Sequence, residues 1–330
     1  MDGKSSRAFI GTALLALTLA ATPAHAQSNA DTGYPDRVIR IVVGFAAGGG
    51  NDIFARLVGQ GLQKELNQSV IIVNRPGAGG RLAAEYVASQ PADGYTLLVG
   101  ASGAMSIAPA IYPKLPYHPT RTFVPLAEIG HFPLILVVTA NHPAKNVAEL
   151  VAWAKQNPDK ANYATTSPAF TITTELLKLK SGMPGVAITY KSSNEMLTSV
   201  TAGHSTFAIV DGPPAVPQVK GGQVRALAVT GSERSGEMPD VPSMAEAGFP
   251  DVNIHLWSGV FASAGTPAKV VKKLEAALAR AIKSPEVADK LRAMAVDPGG
   301  GPADAFARMI DADIKTYSDV VKSANLTFEE

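Results

Sequence analysis

Three glycine-rich loops each follow a strand-like apolar run in the first third of the chain: Ala46–Asn51 (AAGGGN), Asn74–Gly80 (NRPGAGG) and Gly100–Ser106 (GASGAMS). A glycine loop between a strand and a helix leaves backbone N–H groups bare, and the next helix turns the positive end of its dipole toward the same place. The chemistry available there is the holding of an anion. In an open parallel sheet, ligands bind beyond the carboxyl ends of the strands, which is where these loops fall. Tight turns with no ligand are the bland alternative for any one loop. Asn51 and Asp52 stand where a residue caps or orders the first helix start.

Chemistry beyond binding finds no support in the motifs. The P-loop pattern is absent, and Gly77–Leu82 offers G-x-G with Leu82 where a dinucleotide fingerprint needs its third glycine. No G-x-S-x-G elbow occurs. His118, His131, His142, His204 and His255 are scattered, without the H-x-x-H or H-E-x-x-H spacing of a metal site, and the chain has no cysteine. No catalytic residue, metal or cofactor is expected. The alternative kept open is a secreted α/β hydrolase of a small carboxylate ester or amide, with Asp52 as base or a loop serine as nucleophile.

The elements that position the loops follow from periodicity. Strands are expected at Val38–Phe45, Val70–Val73, Tyr95–Val99, Leu134–Thr139, Asn162–Thr165, Ala187–Tyr190, Thr206–Val210, Val224–Thr230 and Asn253–Ala262. Helices are expected at Asn51–Leu66, Leu82–Ser89, Val147–Gln156 (with Asn146 as N-cap), Ile172–Lys180, Glu195–Ala202, Pro267–Ile282, Pro285–Met294 and Ala303–Ser323. Strand-loop-helix repetition implies mostly parallel sheets flanked by helices.

Residues 1–26 read as a secretory signal peptide: Lys4 and Arg7, an apolar stretch from Ala8 to Ala21, then Ala24-His25-Ala26 as a cleavage site before Gln27. No later run approaches the roughly 20 apolar residues of a membrane span. The expectation is a periplasmic protein without membrane insertion after cleavage. A formal charge of +1, from 29 basic and 28 acidic residues, gives no footprint for nucleic acid. Roughly 300 residues exceed one typical core, so two domains are expected.

Four stretches together carry a resemblance: "YPDRVIRIVVGFAAGGGNDIFARLVGQGL", "VIIVNRPGAGGRLAAEYVASQPADGYTLLVG", "VRALAVTGSERSGEMPDVPSMAEAGFP" and "GVFASAGTPAKVVKKL". In this order they resemble the Bug family, the extracytoplasmic receptors of tripartite tricarboxylate transporters, over nearly the whole mature chain. The resemblance implies a two-lobed periplasmic-binding-protein (Venus flytrap) fold, each lobe a mixed, mostly parallel sheet flanked by helices. Residues 34–130 plus 256–330 would form lobe one, and 131–255 lobe two. It also implies a small organic carboxylate as ligand; helix starts near Ser167–Thr171 and Ser192–Asn194, with donors for a second carboxylate, make a dicarboxylate, aliphatic or aromatic, the expectation. Membrane transporter subunits or a sensor would be the partners of a monomeric receptor. One ligand carboxylate would sit over the lobe-one loops, on Phe45, Ala47, Gly48, Gly49, Asn51, Asp52, Gly77, Ala78, Gly79, Ala101 and Ser102.

Lobe two departs from the usual family pattern. A Gly-rich helix entry is replaced by Thr165–Thr171, the usual YKG reads Tyr190-Lys191-Ser192, and GQVD reads Gly203-His204-Ser205-Thr206. Ser167, Thr171 and Ser192 are candidate donors to a second carboxylate, and Asp211 ends a strand where a cleft-facing polar residue is often found. Phe170 and Trp257 are candidates for stacking on an aromatic ligand or, equally, for filling the cores.

Overall fold

A computed structural model describes residues 33–190 and 192–328. The expected signal peptide lies outside the described residues. In chain order the elements are β1 (Ile39–Val43), α1 (Gly50–Leu66), β2 (Val70–Asn74), α2 (Arg81–Ala88), β3 (Thr96–Ala101), α3 (Ala108–Ile111), β4 (Phe123–Thr139), α4 (Val147–Gln156), β5 (Asn162–Thr165), α5 (Pro168–Ser181), β6 (Val186–Thr189), α6 (Ser193–Thr201), β7 (Phe207–Asp211), α7 (Gly212–Lys220), β8 (Val224–Val229), β9 (His255–Ser263), α8 (Ala268–Lys283), α9 (Pro285–Arg292), β10 (Asp297–Pro298) and α10 (Ala303–Ser323).

Two α/β lobes result. In the first, β2, β1 and β3 are parallel, and β9 joins β3 antiparallel. Both faces of this sheet are covered. Ile41, Val43, Leu97 and Val99 face one core with α1 and α8, while the alternate residues Val42 and Leu98 face another with Ala83, Phe261 and Phe306. In the second lobe β5 lies between β6 and β7, parallel to both.

The 17-residue strand β4 runs through both sheets. Its residues Phe123–Pro133 pair with β9, and from Leu134 onward it pairs with β7 and β8. Only the Leu134–Thr139 half is legible as a strand in the sequence. The first half carries Pro125 and Pro133, which argue against a central strand because proline cannot donate to the ladder. The fold accommodates Pro125 beside a register shift and Pro133 at the change of sheets. The helix α7 was hidden in the same way, by Pro213, Pro214 and Pro217. At the C-terminus, α10 begins against the first lobe with Phe306 and Ile310, and its Tyr317 and Val320 join the core of the second.

One glycine fixes how the first two loops meet. A Cβ on Gly44, at the end of β1, would stand 2.5 Å from the Cα of Gly80. Backbone therefore touches backbone, and the second glycine loop lies directly on the first. Gly44→Ala is expected to lower Tm by several degrees, since neither backbone has room to move aside. Gly236→Ala, whose Cβ meets nothing within 4 Å, serves as the neutral control; equal melting of the two variants would refute the contact.

Candidate functional site

The loops following β1, β2 and β3 face the starts of α5, α6 and α7 across a cavity of about 630 Å³. That volume suits a small-molecule site, for which roughly 300–1,000 Å³ is usual.

On the first-lobe side the wall is mostly backbone. Helix α1 starts at Gly50 with Gly49 as N-cap, and Gly49 has no side chain with which to cap it. The first amides of a helix have no partner within it, and Gly50 and Asn51 line the cavity. Asn51 receives a hydrogen bond from the Ser258 hydroxyl on its Oδ1, which leaves its Nδ2 donors for the cavity. In the second loop, Gly77, Ala78, Gly79 and Gly80 all have positive φ (142°, 47°, 64° and 97°). This left-handed run is open to glycine and strained for Ala78. It brings Ala78 and Gly79 to the cavity surface, beside Arg81. Arg81 stacks over Tyr112, with its guanidinium carbon 4.2 Å from the ring centre. Ala101 and Ser102 line the cavity from the end of β3.

Asp52 stands behind this wall. It is 2 % exposed. Its Oδ2 accepts from the Gly48 amide and Arg56 Nε, both at 2.9 Å, and its Oδ1 from Asn74 Nδ2 at 2.8 Å and Arg56 Nη2 at 3.0 Å. Asn74 Nδ2 also donates to the carbonyl of Phe45. The Arg56 hydrogen bond, helped by Gly48 and Asn74 and opposed by burial, holds the carboxyl at about 2. Asp52 thus ties the first loop to the end of β2 and has no oxygen to spare for a ligand.

On the second-lobe side, Ser167 and Ser192 are the N-caps of α5 and α6. Ser192 caps its helix by accepting from the Glu195 amide, whereas Ser167 makes no side-chain cap bond. Ser167, Phe170, Ser192, Ser193, Asp211 and Pro213 all line the cavity. Burial pushes the carboxyl of Asp211 up from its usual range.

The structure gathers Phe45, Gly49, Asn51, Ala78, Gly79, Ala101, Ser102, Ser167, Phe170, Ser192 and Asp211 around one cavity. Ala47 and Gly48 lie on the exposed outer turn of the first loop, away from it. Gly77 lies beneath the second loop, against Leu82. Thr171 turns its hydroxyl to Thr165 and to the Ser167 carbonyl. Trp257 borders the cavity, but its ring is packed against Phe306 and Phe261, and its Nε1 donates to Asp313 at 2.7 Å. Arg81, Tyr112, Ile107 and Phe132 were not singled out from the sequence. Tyr112 and Ile107 belong to the segment after β3, where a π-type turn over Gly103–Ile107 carries no periodic signal. Among the described residues, none cluster to hold a metal ion, and no helix is long and apolar enough to cross a membrane.

The profile of the tripartite tricarboxylate transporter family receptor matches residues 54–326. The chain belongs to this receptor family. Its relative BugT of Bordetella pertussis is 31% identical over 313 residues, covering 94% of this chain and 96% of BugT. Two solved structures from Rhodopseudomonas palustris are similar throughout. Rpa4515 with adipate has a TM-score of 0.81 at 34% identity, over 89% of this chain and 99% of that one. MatC with bound malate has a TM-score of 0.77 at 32% identity, over 87% and 100%. The chain is a solute receptor of the Bug type and not an enzyme.

The depressed carboxyl of Asp52 gives the receptor an acid-sensitive contact. A group held at about 2 in the fold and near 3.9 when unfolded stabilises above pH 4 and loses that contribution as pH falls toward 2. Asp52→Asn is expected to lower Tm clearly at pH 7, hydrogen bonds to a charged group contributing about 1.5–3 kcal/mol. The deficit narrows as the pH is taken from 4 toward 2. A deficit independent of pH across melting curves would show that the charge is not what matters.

Proposed function

We propose that this receptor binds a short organic dicarboxylate in the cavity and delivers it, from the periplasm, to a membrane transporter. The observation that carries the reading is the pair of facing walls. One consists of the uncapped start of α1 and the left-handed 77–80 loop, the other of the starts of α5 and α6. One carboxylate lies on the amides of Gly50, Asn51, Ala78 and Gly79, with the Asn51 side chain beside it. The other end of the ligand reaches Ser167 and the first free amides of α5 and α6. The bound adipate and malate of the two similar structures favour the same ligand class.

The two walls belong to two lobes in this account, which divide where β4 and β9 change partners, near Pro133 and His255. Residues 34–133 and the chain from 256 into α10 form one lobe, and 134–255 the other, with the end of α10 laid across to it. Secretion through removal of residues 1–26 and action as a monomer belong to the same proposal. BugD, a periplasmic binding protein 27% identical with a TM-score of 0.79, supports the periplasmic address.

Calorimetry on aliphatic diacids of four to six carbons and their diamides tests the ligand class. Each diamide keeps the shape of its diacid but removes both charges and sets N–H groups against N–H groups. Loss of even one charge-assisted hydrogen bond corresponds to roughly tenfold in affinity or more. At least one diacid is expected to bind tenfold or more tightly than its diamide. Equal affinities throughout would mean that the cavity reads shape or apolar surface and that the carboxylate reading fails.

A further inference from the structure

Asp211 occupies a position where its ordinary structural role is closed to it. It is the N-cap of α7, and an N-cap aspartate normally accepts from the amide of the second or third helical residue. Here those residues are Pro213 and Pro214, which have no N–H. The side chain accordingly makes no cap bond. Its Oδ1 is buried and has no hydrogen-bond partner among the described residues, while the Ser193 side chain stands close enough to the carboxylate to favour its charged form. The same two prolines strip the start of α7 of the amides that would attract an anion. This corner of the cavity therefore offers an acceptor and keeps only the Gly212 N–H as a backbone donor, in contrast to the starts of α5 and α6 beside it. Among the described residues lining the cavity, Asp211 is the one acid and Arg81 the one base, and Arg81 belongs to the opposite wall. The last torsion of an aspartate is soft, so rotation of the carboxylate presents either oxygen to the cavity.

Resting on the carboxylate-receptor reading above, we propose that Asp211 selects ligands carrying a hydrogen-bond donor next to one carboxylate. The class is that of 2-amino or 2-hydroxy dicarboxylic acids. The amides and hydroxyls of α5 and α6 take that carboxylate, and Asp211 accepts from the neighbouring ammonium or hydroxyl group. A plain diacid leaves the Asp211 oxygen unmet and sets a second negative group near it.

The test is calorimetry of the protein with two matched series. One is succinate, malate and aspartate; the other is glutarate, 2-hydroxyglutarate and glutamate. Within a series the skeleton is constant and only the donor changes. In at least one series the hydroxyl or ammonium acid is expected to bind tenfold or more tightly than its plain parent. In Asp211→Asn, whose amide no longer offers a charged acceptor, that preference falls below twofold. The hydroxyl and ammonium arms distinguish which donor is read. Plain parents that bind as tightly as their substituted forms overturn the proposal while leaving the carboxylate receptor intact. A preference that survives Asp211→Asn assigns the selection to another residue and also overturns it. A plain diacid whose binding strengthens as the pH is lowered would show Asp211 donating its own proton, the reverse of the role argued here. If none of the six acids binds, the carboxylate reading itself fails and the proposal falls with it.

Discussion

Four hydrogen bonds from three residues converge on the carboxylate of Asp52: one from Gly48, two from Arg56 and one from Asn74. The rest of the first-lobe wall depends on this contact. Gly48 belongs to the loop after β1, and Asn74 is the last residue of β2. One buried charge thus holds two strand ends and the turn between a strand and a helix in a single arrangement. The amides of Gly50, Asn51, Ala78 and Gly79 can then stay turned to the cavity, because the Asp52 contacts and the Gly44–Gly80 approach keep the backbone in place. Loops freed of such constraint would turn those amides to water, and a bound anion would have to order them at an entropic cost.

The two walls of the cavity work differently. The first-lobe wall offers mainly backbone amides, with the side chains of Asn51, Ser102 and Arg81 beside them, so in the reading proposed above it accepts any carboxylate of suitable reach. The second is built from side chains on three helix starts, one capped by its serine, one not, and one whose aspartate has no amide to cap. In the proposed reading, discrimination among ligands rests there, on Ser167, Phe170 and Asp211, because side chains differ in what they donate and accept while amides do not. The apolar lining from Phe45, Phe54, Ile107 and Phe132 adds a preference for a carbon chain between the polar ends.

The sequence made most of the fold legible. The bounds read for α4, β5 and α10 coincide with the observed elements, since each carries a clean period and an unambiguous start. Proline-bearing segments were not legible. The first half of β4 and the whole of α7 are regular structure in which tertiary pairing, or the proline-tolerant first turn of a helix, overrides local signals. The glycine loops pointed through composition to a wall able to hold an anion, while the individual residues Asn51, Ala78, Gly79 and Ser102 came with the family resemblance. That same composition could not separate Gly49, which borders the cavity, from Gly48, which serves Asp52. Nor could it bring Tyr112 to Arg81, a contact that depends on the irregular segment after β3. The stalled cap at Asp211 was written in the residues Asp-Gly-Pro-Pro, but it became meaningful only once α7 was seen to begin there.

Ligand binding, as proposed, depends on bare backbone amides of the first-lobe loops holding a carboxylate. Amide-resolved NMR during titration with a dicarboxylate that binds tests it most directly. The N–H resonances of Gly50, Asn51, Ala78 and Gly79 are expected to move downfield and saturate together with the binding isotherm, while that of Gly48, already donating to Asp52, moves little. Binding that leaves those four amides unshifted would contradict that dependence.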